Sequence, residues 1–205
     1  MRNFVYILIL TVTTLQAQTP MTAAEAVSFR EKVSERATAV KTITSNFTQR
    51  KHLGFLSNDI VSGGKLAFKA PDKVKWEYTE PFEYTVVFRD EMLYINDSGK
   101  KSQVDMGSSK MFGTLNDLIV KSIRGDMFDD NKFSITYFKK EKRNEVRFSP
   151  KDESFKKHIS AFLITFDTNG DVTGIKMTEP SGDYTHITFS NRTVNQPLDD
   201  AIFTN

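Results

Sequence analysis

The first part of the chain has a helical pattern of apolar positions. Between Thr22 and Val40 apolar residues recur at steps of three and four, which predicts one amphipathic helix. Thr22 and Glu25 have the S/T-x-x-E spacing of a capping box, so the helix is predicted to begin there. Its predicted apolar face consists of Ala26, Phe29, Val33, Ala37 and Val40.

After this helix the period of the apolar positions changes to two, which predicts strands. Ile43, Ser45 and Phe47 share one face of the first of them. Turn signals at 70–72 and 96–99 bound an antiparallel meander, and Asn169-Gly170 is the strongest hairpin turn of the chain. In total the pattern predicts about ten strands and two helices.

A second, short helix is predicted between strands, over residues 114–124. Thr114 is its N-cap and Gly125 its stop. Its apolar residues at helical spacing are Leu115, Leu118, Ile119 and Ile123.

The first residues have the pattern of a secretory signal peptide. Arg2 supplies the positive charge, and residues 4–10 form an apolar stretch that is too short to span a membrane. A cut after Ala17 is expected, with no cysteine following it that could carry a lipid anchor. The expected organisation is therefore a signal peptide over residues 1–17 and a single domain over residues 18–205.

Composition excludes several classes of chemistry. The chain has no cysteine, which excludes disulfides, thiolate nucleophiles and iron–sulfur clusters, and its net charge of +2 argues against nucleic acid as a partner. No nucleotide-binding, serine-hydrolase or zinc-protease motif is present. Residues 167–171 begin like a calcium loop, but Val172 occupies the position that needs glycine, which favours a hairpin turn. No enzyme activity, metal or cofactor is expected.

A basic cluster over residues 139–143 lies between two predicted strands. It is either the charged tip of a hairpin or an electrostatic docking patch for a membrane or an acidic partner. The sequence does not distinguish these two interpretations.

The predicted strands have one apolar face. Val74, Trp76 and Tyr78 alternate with charged residues, and the chain contains 17 phenylalanines. So much sheet with so little helix predicts a strongly curved or nearly closed sheet. Its interior is either filled by side chains or left open as a ligand cavity, and periodicity alone leaves both possibilities open.

Two segments resemble the signature of the LolA family of periplasmic lipoprotein carriers. The first is Phe47-Thr48-Gln49, and the second runs from Ser62 to Pro81 with Pro71, Trp76 and Pro81 at the family's spacing. The resemblance extends to the order of elements over the whole mature chain. One position departs from the family pattern, because Ala70 precedes Pro71 where well-known members have an arginine that contacts the lid.

The resemblance implies a mainly β (α+β) fold, an unclosed, strongly curved antiparallel β-barrel with helices covering its concave face. It implies a periplasmic monomer that takes acylated lipoproteins as cargo from an inner-membrane lipoprotein-releasing transporter to an outer-membrane acceptor. The alternatives are a carrier of another amphiphile, such as a glycolipid or polyene, and a lipid-sensing adaptor on the same scaffold. The 114–124 helix is expected to act as lid, through the four apolar residues given above. The expected cargo-binding residues are Leu66, Phe68, Val74, Trp76, Tyr78, Val86 and Phe88.

Overall fold

The fold is an antiparallel sheet with one long helix packed on it. The computed structural model describes residues 19–105, 120–121 and 126–204. The helices are α1 (Ala23–Thr38), α2 (Glu153–Lys156) and a 3-10 turn at Asp200–Phe203. The strands are β1 (Thr19–Pro20), β2 (Thr42–His52), β3 (Ile60–Lys69), β4 (Lys73–Glu80), β5 (Tyr84–Arg89), β6 (Met92–Asp97), β7 (Lys100–Asp105), β8 (Phe133–Lys140), β9 (Arg143–Pro150), β10 (Ala161–Phe166), β11 (Val172–Thr178) and β12 (Tyr184–Val194).

All described strands belong to one sheet, in the order β1-β8-β9-β10-β11-β12-β2-β3-β4-β5-β6-β7. Every pair is antiparallel, and the end strands β1 and β7 do not pair with each other, so the sheet is not closed. The expected fold class is confirmed. The described residues form twelve strands rather than about ten. The two additional strands are β1, which has only two residues, and β7, which is polar along almost its whole length. Neither strand has an apolar alternation that could have predicted it.

Several sequence predictions concern residues outside the described ones. These include the predicted signal peptide, residues 1–17, and the predicted lid residues Leu115, Leu118, Ile119 and Ile123. Val120 and Lys121, within the predicted second helix, are described as helical, and Val120 is buried. Among the described residues, no helix is long and apolar enough to cross a lipid bilayer.

Helix α1 begins with the predicted capping box. Thr22 Oγ1 accepts a hydrogen bond from the Glu25 N–H, and the Glu25 carboxylate accepts one from the Thr22 N–H at 3.0 Å. The same carboxylate accepts a hydrogen bond from Lys139 Nζ of β8 at 2.7 Å. These hydrogen bonds, led by that from Lys139, lower the pKa of Glu25 to about 2. The N-terminus of α1 is thereby tied to the sheet.

Two hydrophobic clusters cover the inner face, which is the face of the sheet that α1 packs against. The first cluster contains Phe29, Val33, Met127, Phe133, Val146, Phe148, Phe155, Ile159, Phe162, Ile164 and Phe166. The second cluster contains Val40, Ile43, Phe47, Leu66, Phe68, Val74, Trp76 and Val120. Phe29 and Val33 of α1 pack in the first cluster, and Val40, two positions beyond the end of α1, packs in the second.

The basic cluster is the tip of the β8–β9 hairpin, and three of its four cations are paired within the chain. Lys139 contacts Glu25, while Lys140 and Arg143 contact Glu145, whose side chain is almost fully buried. These contacts favour the interpretation as a structural hairpin tip over that as a docking patch.

Candidate functional site

An apolar cavity lies on the inner face between the two clusters, below the C-terminal half of α1. Its volume is about 40 Å³. It is lined by Val33, Arg36, Ala37, Val40, Ile43, Ser45, Leu66, Trp76, Gly170, Asp171, Val172, Ile175, Phe189 and Arg192. The cavity is thus a narrow apolar slot with charged groups among its lining residues.

One wall of the cavity is aromatic and rigid. The Trp76 ring packs edge-on against Phe47, with centroids 5.0 Å apart, and lies 6.0 Å from the Phe189 ring. Tyr78 packs on the other side of Phe47, and its hydroxyl donates a hydrogen bond to Gln49 Oε1 at 3.0 Å. Burial raises the pKa of Tyr78 to about 12, so this hydroxyl stays neutral. The signature residues Phe47, Gln49 and Trp76 therefore form one packed unit.

The structure brings the predicted cargo-binding residues together on adjacent strands. Leu66 pairs with Trp76 and Phe68 with Val74 across β3 and β4, and the same two β4 residues pair with Val86 and Phe88 of β5. Leu66 and Trp76 line the cavity, and Phe68 and Val74 are fully buried in the second cluster. Tyr78, Val86 and Phe88 are partly buried against that cluster. Their common face is confirmed, and their role in binding cargo stays a prediction.

Gly64 makes this wall possible. A Cβ at Gly64 would lie 2.0 Å from the Glu77 carbonyl oxygen and 2.9 Å from Phe47 Cζ. The neighbouring residue, Gly63, would place a Cβ no closer than 3.7 Å to any such atom. Only the absence of a side chain at Gly64 lets β4 and the Phe47 ring approach this closely.

Three charged side chains form what we call the rim of the cavity: Arg36, Asp171 and Arg192. Arg36 contacts both carboxylate oxygens of Asp171, each at 3.1 Å, and Arg192 Nη1 lies 2.8 Å from Asp171 Oδ1. Burial of the Asp171 carboxyl works to raise its pKa, but the hydrogen bond from Arg36 and the charge of Arg192 outweigh burial, so the net pKa is lowered. Asp171 is therefore an anion held between two guanidinium groups.

A β-bulge turns Arg192 towards the cavity. Ser190 pairs with Asn46 and Thr193 with Thr44, so Asn191 and Arg192 together oppose the inward-facing Ser45. The extra residue, Asn191, has a φ of 52° and lines a groove with outward-facing residues such as Asn46. In a regular ladder Asn191 would face inward and Arg192 outward, so the bulge sets the chemistry of the rim.

The β10–β11 turn brings Asp171 under α1. Asp167 Oδ1 accepts hydrogen bonds from the N–H groups of Asn169 and Asp171, which closes the turn, and Gly170 has a φ of 90°. An added Cβ on Gly170 would lie 3.5 Å from Val33, so the turn contacts α1 directly. The Asp167 carboxylate is thus used within the turn, in line with the interpretation as a hairpin turn. No group of residues in the described part of the chain has the composition and geometry of a metal site.

Comparison with known proteins gives the family. The family model described as "Outer membrane lipoprotein carrier protein LolA" matches residues 38–205, which is most of the chain. The chain belongs to the LolA family. No curated protein sequence matches it.

Solved structures share the LolA-like fold at low sequence identity. A DUF1329 family protein from Desulfovibrio piger is 14% identical, with a TM-score of 0.52, over 87% of this chain and 96% of that one. MucB in the Pseudomonas aeruginosa MucA/MucB complex is 10% identical, with a TM-score of 0.50, over 88% of this chain but only 61% of that one. A LolA superfamily protein from Nitrosomonas europaea is 13% identical, with a TM-score of 0.45, over 88% of this chain and 97% of that one. At these identities the likeness concerns the fold alone.

The position where the LolA signature departs from this sequence is exposed. Ala70 donates its N–H to the Lys41 carbonyl oxygen at 2.8 Å, and its side chain is a single methyl group where the family pattern has an arginine. The preceding Lys69 donates to the Leu198 carbonyl oxygen at 2.8 Å and pairs with Asp200, so it binds the C-terminal segment.

The sequence analysis missed the rim, although two signals for it exist. Arg36 is three residues after Val33 and four before Val40, which places a charge at the border of the apolar helix face. Phe189 and Val194 both face inward but their positions differ by five, an odd number, which requires a break in the alternation between them. Both signals depend on knowing which residues are inside, and periodicity over so short a segment does not establish that.

Replacement of Asp171 by asparagine is expected to loosen α1. A carboxylate whose pKa is lowered by folding stabilises the fold above its ordinary pKa, and this contribution is lost as the pH falls through the lowered pKa. Asp171→Asn should therefore lower the free energy of unfolding at neutral pH by about 1–2 kcal/mol, since solvent partly screens Arg36. The difference from the wild type should shrink at an acidic pH below the lowered pKa of Asp171. Urea unfolding at both pH values measures it, and an equal difference at both would contradict this account.

Proposed function

We propose that this chain is a periplasmic carrier that binds the acyl chains of lipoproteins in the apolar cavity and performs no covalent chemistry. It delivers them from the inner membrane to the outer membrane. The observation that carries the proposal is the narrow apolar cavity between two complete clusters, with Trp76 in its wall. The description of the family as carriers of outer-membrane lipoproteins supports the same function.

Apolar contact supplies the affinity in such a carrier. Each buried CH₂ group contributes about 0.8 kcal/mol, so one long acyl chain supplies ample binding energy without hydrogen bonds. In the described conformation the cavity volume of about 40 Å³ is room for a few waters and not for an acyl chain. Cargo entry therefore requires the walls to separate.

The C-terminal half of α1 is the described element that can move at the lowest cost. Phe29 is locked in the first cluster, where its ring lies 5.2 Å from Phe166. Beyond Val33 the helix presents Arg36 and Ala37 to the cavity, and Ala37 fills little space. Widening at this end breaks mainly the rim contacts and leaves both clusters intact.

The proposed pathway includes partners and a leader. Residues 1–17 act as the signal peptide that exports the chain, and the mature monomer occupies the periplasm. An inner-membrane lipoprotein-releasing transporter loads it, and an outer-membrane acceptor takes the cargo. The acceptor must offer a better-matched apolar site, because a carrier that binds more tightly than its acceptor cannot deliver. Leu115, Leu118, Ile119 and Ile123 are proposed as the lid.

Fluorescence of Trp76, the one tryptophan of the chain, tests the proposal. A tripalmitoylated lipopeptide is expected to shift the emission of Trp76, because its acyl chains would displace the contacts of a ring that is only 5% exposed. The same peptide without acyl chains should give no shift. Equal responses to both peptides, or no response to either, would show that the cavity does not bind acyl chains.

Mass spectrometry of the protein purified natively from periplasm separates the proposal from its alternatives. Co-purified triacylated peptide supports lipoprotein transport, and a free glycolipid or polyene supports carriage of another amphiphile. A lipid-sensing adaptor is favoured by one observation, that MucB has this fold and was solved in a complex with MucA. A protein partner recovered at equal stoichiometry, with lipid bound, would support that function instead.

A further inference from the structure

The guanidinium group of Arg192 has hydrogen-bonding capacity that no described residue fulfils. Its Nε atom is buried and makes no hydrogen bond to any described residue, while Nη1 lies 2.8 Å from Asp171 Oδ1. Asp171 directs both its oxygens to Arg36. Buried donors without an acceptor are costly, and native proteins use them where a ligand or water supplies the acceptor.

The charges around the rim do not cancel. Lys32, Arg36 and Arg192 are positive, while Asp167 and Asp171 are negative. Lys32 donates to the Thr168 carbonyl oxygen, and the Asp167 carboxylate accepts from the backbone of its own turn. Within the rim itself two guanidinium groups share one carboxylate, so the rim has a net positive charge beside an apolar cavity.

The placement of Arg192 is built into the backbone. The bulge at Asn191 turns the Arg192 side chain inward, and that side chain is only 21% exposed. The same cavity contains Trp76 and Leu66, so a ligand that reaches the guanidinium also contacts the apolar wall. A cation fixed at the edge of an apolar slot matches a molecule with a single anion at the base of an acyl chain.

We infer that the rim is a headgroup site, in which Arg192, assisted by Arg36, binds one phosphate or carboxylate of an amphiphile whose acyl chain occupies the cavity. The inference rests on the proposed function, in that the cavity binds acyl chains, and it adds anionic amphiphiles to the ligands of that cavity. A phosphate or carboxylate oxygen accepts the Nε–H and Nη1–H donors of Arg192. A neutral headgroup on the same chain accepts them less strongly.

Two lipids that differ by one phosphate provide the test. The wild-type protein is titrated with 1-oleoylglycerol and with 1-oleoylglycerol 3-phosphate, with Trp76 emission as the readout, and oleate serves as the carboxylate arm. At least one of the two anionic lipids should bind about tenfold more tightly than 1-oleoylglycerol. Equal affinity for all three lipids would overturn the headgroup site without need of any variant.

Three variants test which arginine causes the preference for the anionic lipid. Arg192→Gln should reduce the preference for the anionic lipid to about twofold or less, whereas Arg192→Lys should retain part of it. Arg147→Gln is the matched control, because Arg147 is an exposed arginine between the inward-facing Val146 and Phe148 and should leave the preference unchanged. If folded Arg192→Gln keeps the full preference for the anionic lipid, other residues cause that preference and the inference is overturned. If Arg192→Gln does not fold, a reduced preference in Arg192→Lys supports the site, and a full preference in both Arg192→Lys and Arg36→Gln overturns it.

The outcome is distinguishable from failure of the proposed function. If the triacylated lipopeptide and 1-oleoylglycerol both bind and the anionic lipids gain nothing, the cavity binds acyl chains and the headgroup site is wrong. If no acylated molecule shifts Trp76 emission, both proposals fall.

Discussion

Replacement of Gly64 by alanine is expected to destabilise the protein more than any other single methyl group added to the sheet. The new Cβ would lie 2.0 Å from the Glu77 carbonyl oxygen, a backbone atom that cannot move without breaking the β3–β4 ladder. It would also meet the Phe47 ring, which supports Trp76. We expect the free energy of unfolding to fall by about 3 kcal/mol or more. Urea unfolding followed by far-UV circular dichroism measures this change.

Gly63 provides the matched control. It adjoins Gly64 in the same strand, and an added Cβ would make only ordinary contact, at 3.7 Å from the Phe47 carbonyl oxygen. Gly63→Ala is expected to change the free energy of unfolding by less than about 1 kcal/mol, in either direction. Similar losses in both variants would mean that the close approach at Gly64 is not what limits this position.

Replacement of Ala37 by phenylalanine is expected to abolish cargo binding while leaving the protein folded. Ala37 faces the cavity from α1, and a phenylalanine ring there would occupy the space that an acyl chain needs. Affinity for the tripalmitoylated lipopeptide should fall by at least about tenfold, as measured by Trp76 emission. The thermal midpoint should fall, because the ring exceeds the existing apolar space and must push the cavity walls apart, and far-UV circular dichroism checks that the variant stays folded.

Ala24→Phe is the control for this variant. Ala24 lies in the same helix but is exposed, so the identical change there adds a ring to the surface and leaves the cavity free. Its affinity for lipopeptide should equal that of the wild type. Unchanged affinity in folded Ala37→Phe would show that cargo binds elsewhere on the molecule.

Elements with a regular period could be predicted from the sequence alone. The helix and its capping box at Thr22 and Glu25 depend on local spacing, and the structure has both. The common face of Leu66, Val74 and Trp76 follows from strict alternation, and the register confirms it. Each of these features is determined by residues that are close together in the chain.

The features that the sequence could not predict depend on distant residues or on broken periods. Strand β7 has no inward-facing apolar row and is a strand only because β6 pairs with it. The rim joins Arg36 to Asp171, which is 135 residues away. The inward direction of Arg192 depends on a bulge that becomes visible only when β12 is aligned with β2. Tertiary pairing decides all three.

The separation of the interior into two clusters also bears on how the protein unfolds. The buried residues form two separate clusters on either side of the cavity, so each is expected to be closer to an independent cooperative unit than the core of a fully packed domain. An acyl chain in the cavity would pack against both clusters at once and connect them into one hydrophobic core. Binding of cargo would therefore couple the unfolding of the two clusters, and the cargo would act as a transient part of the folding unit.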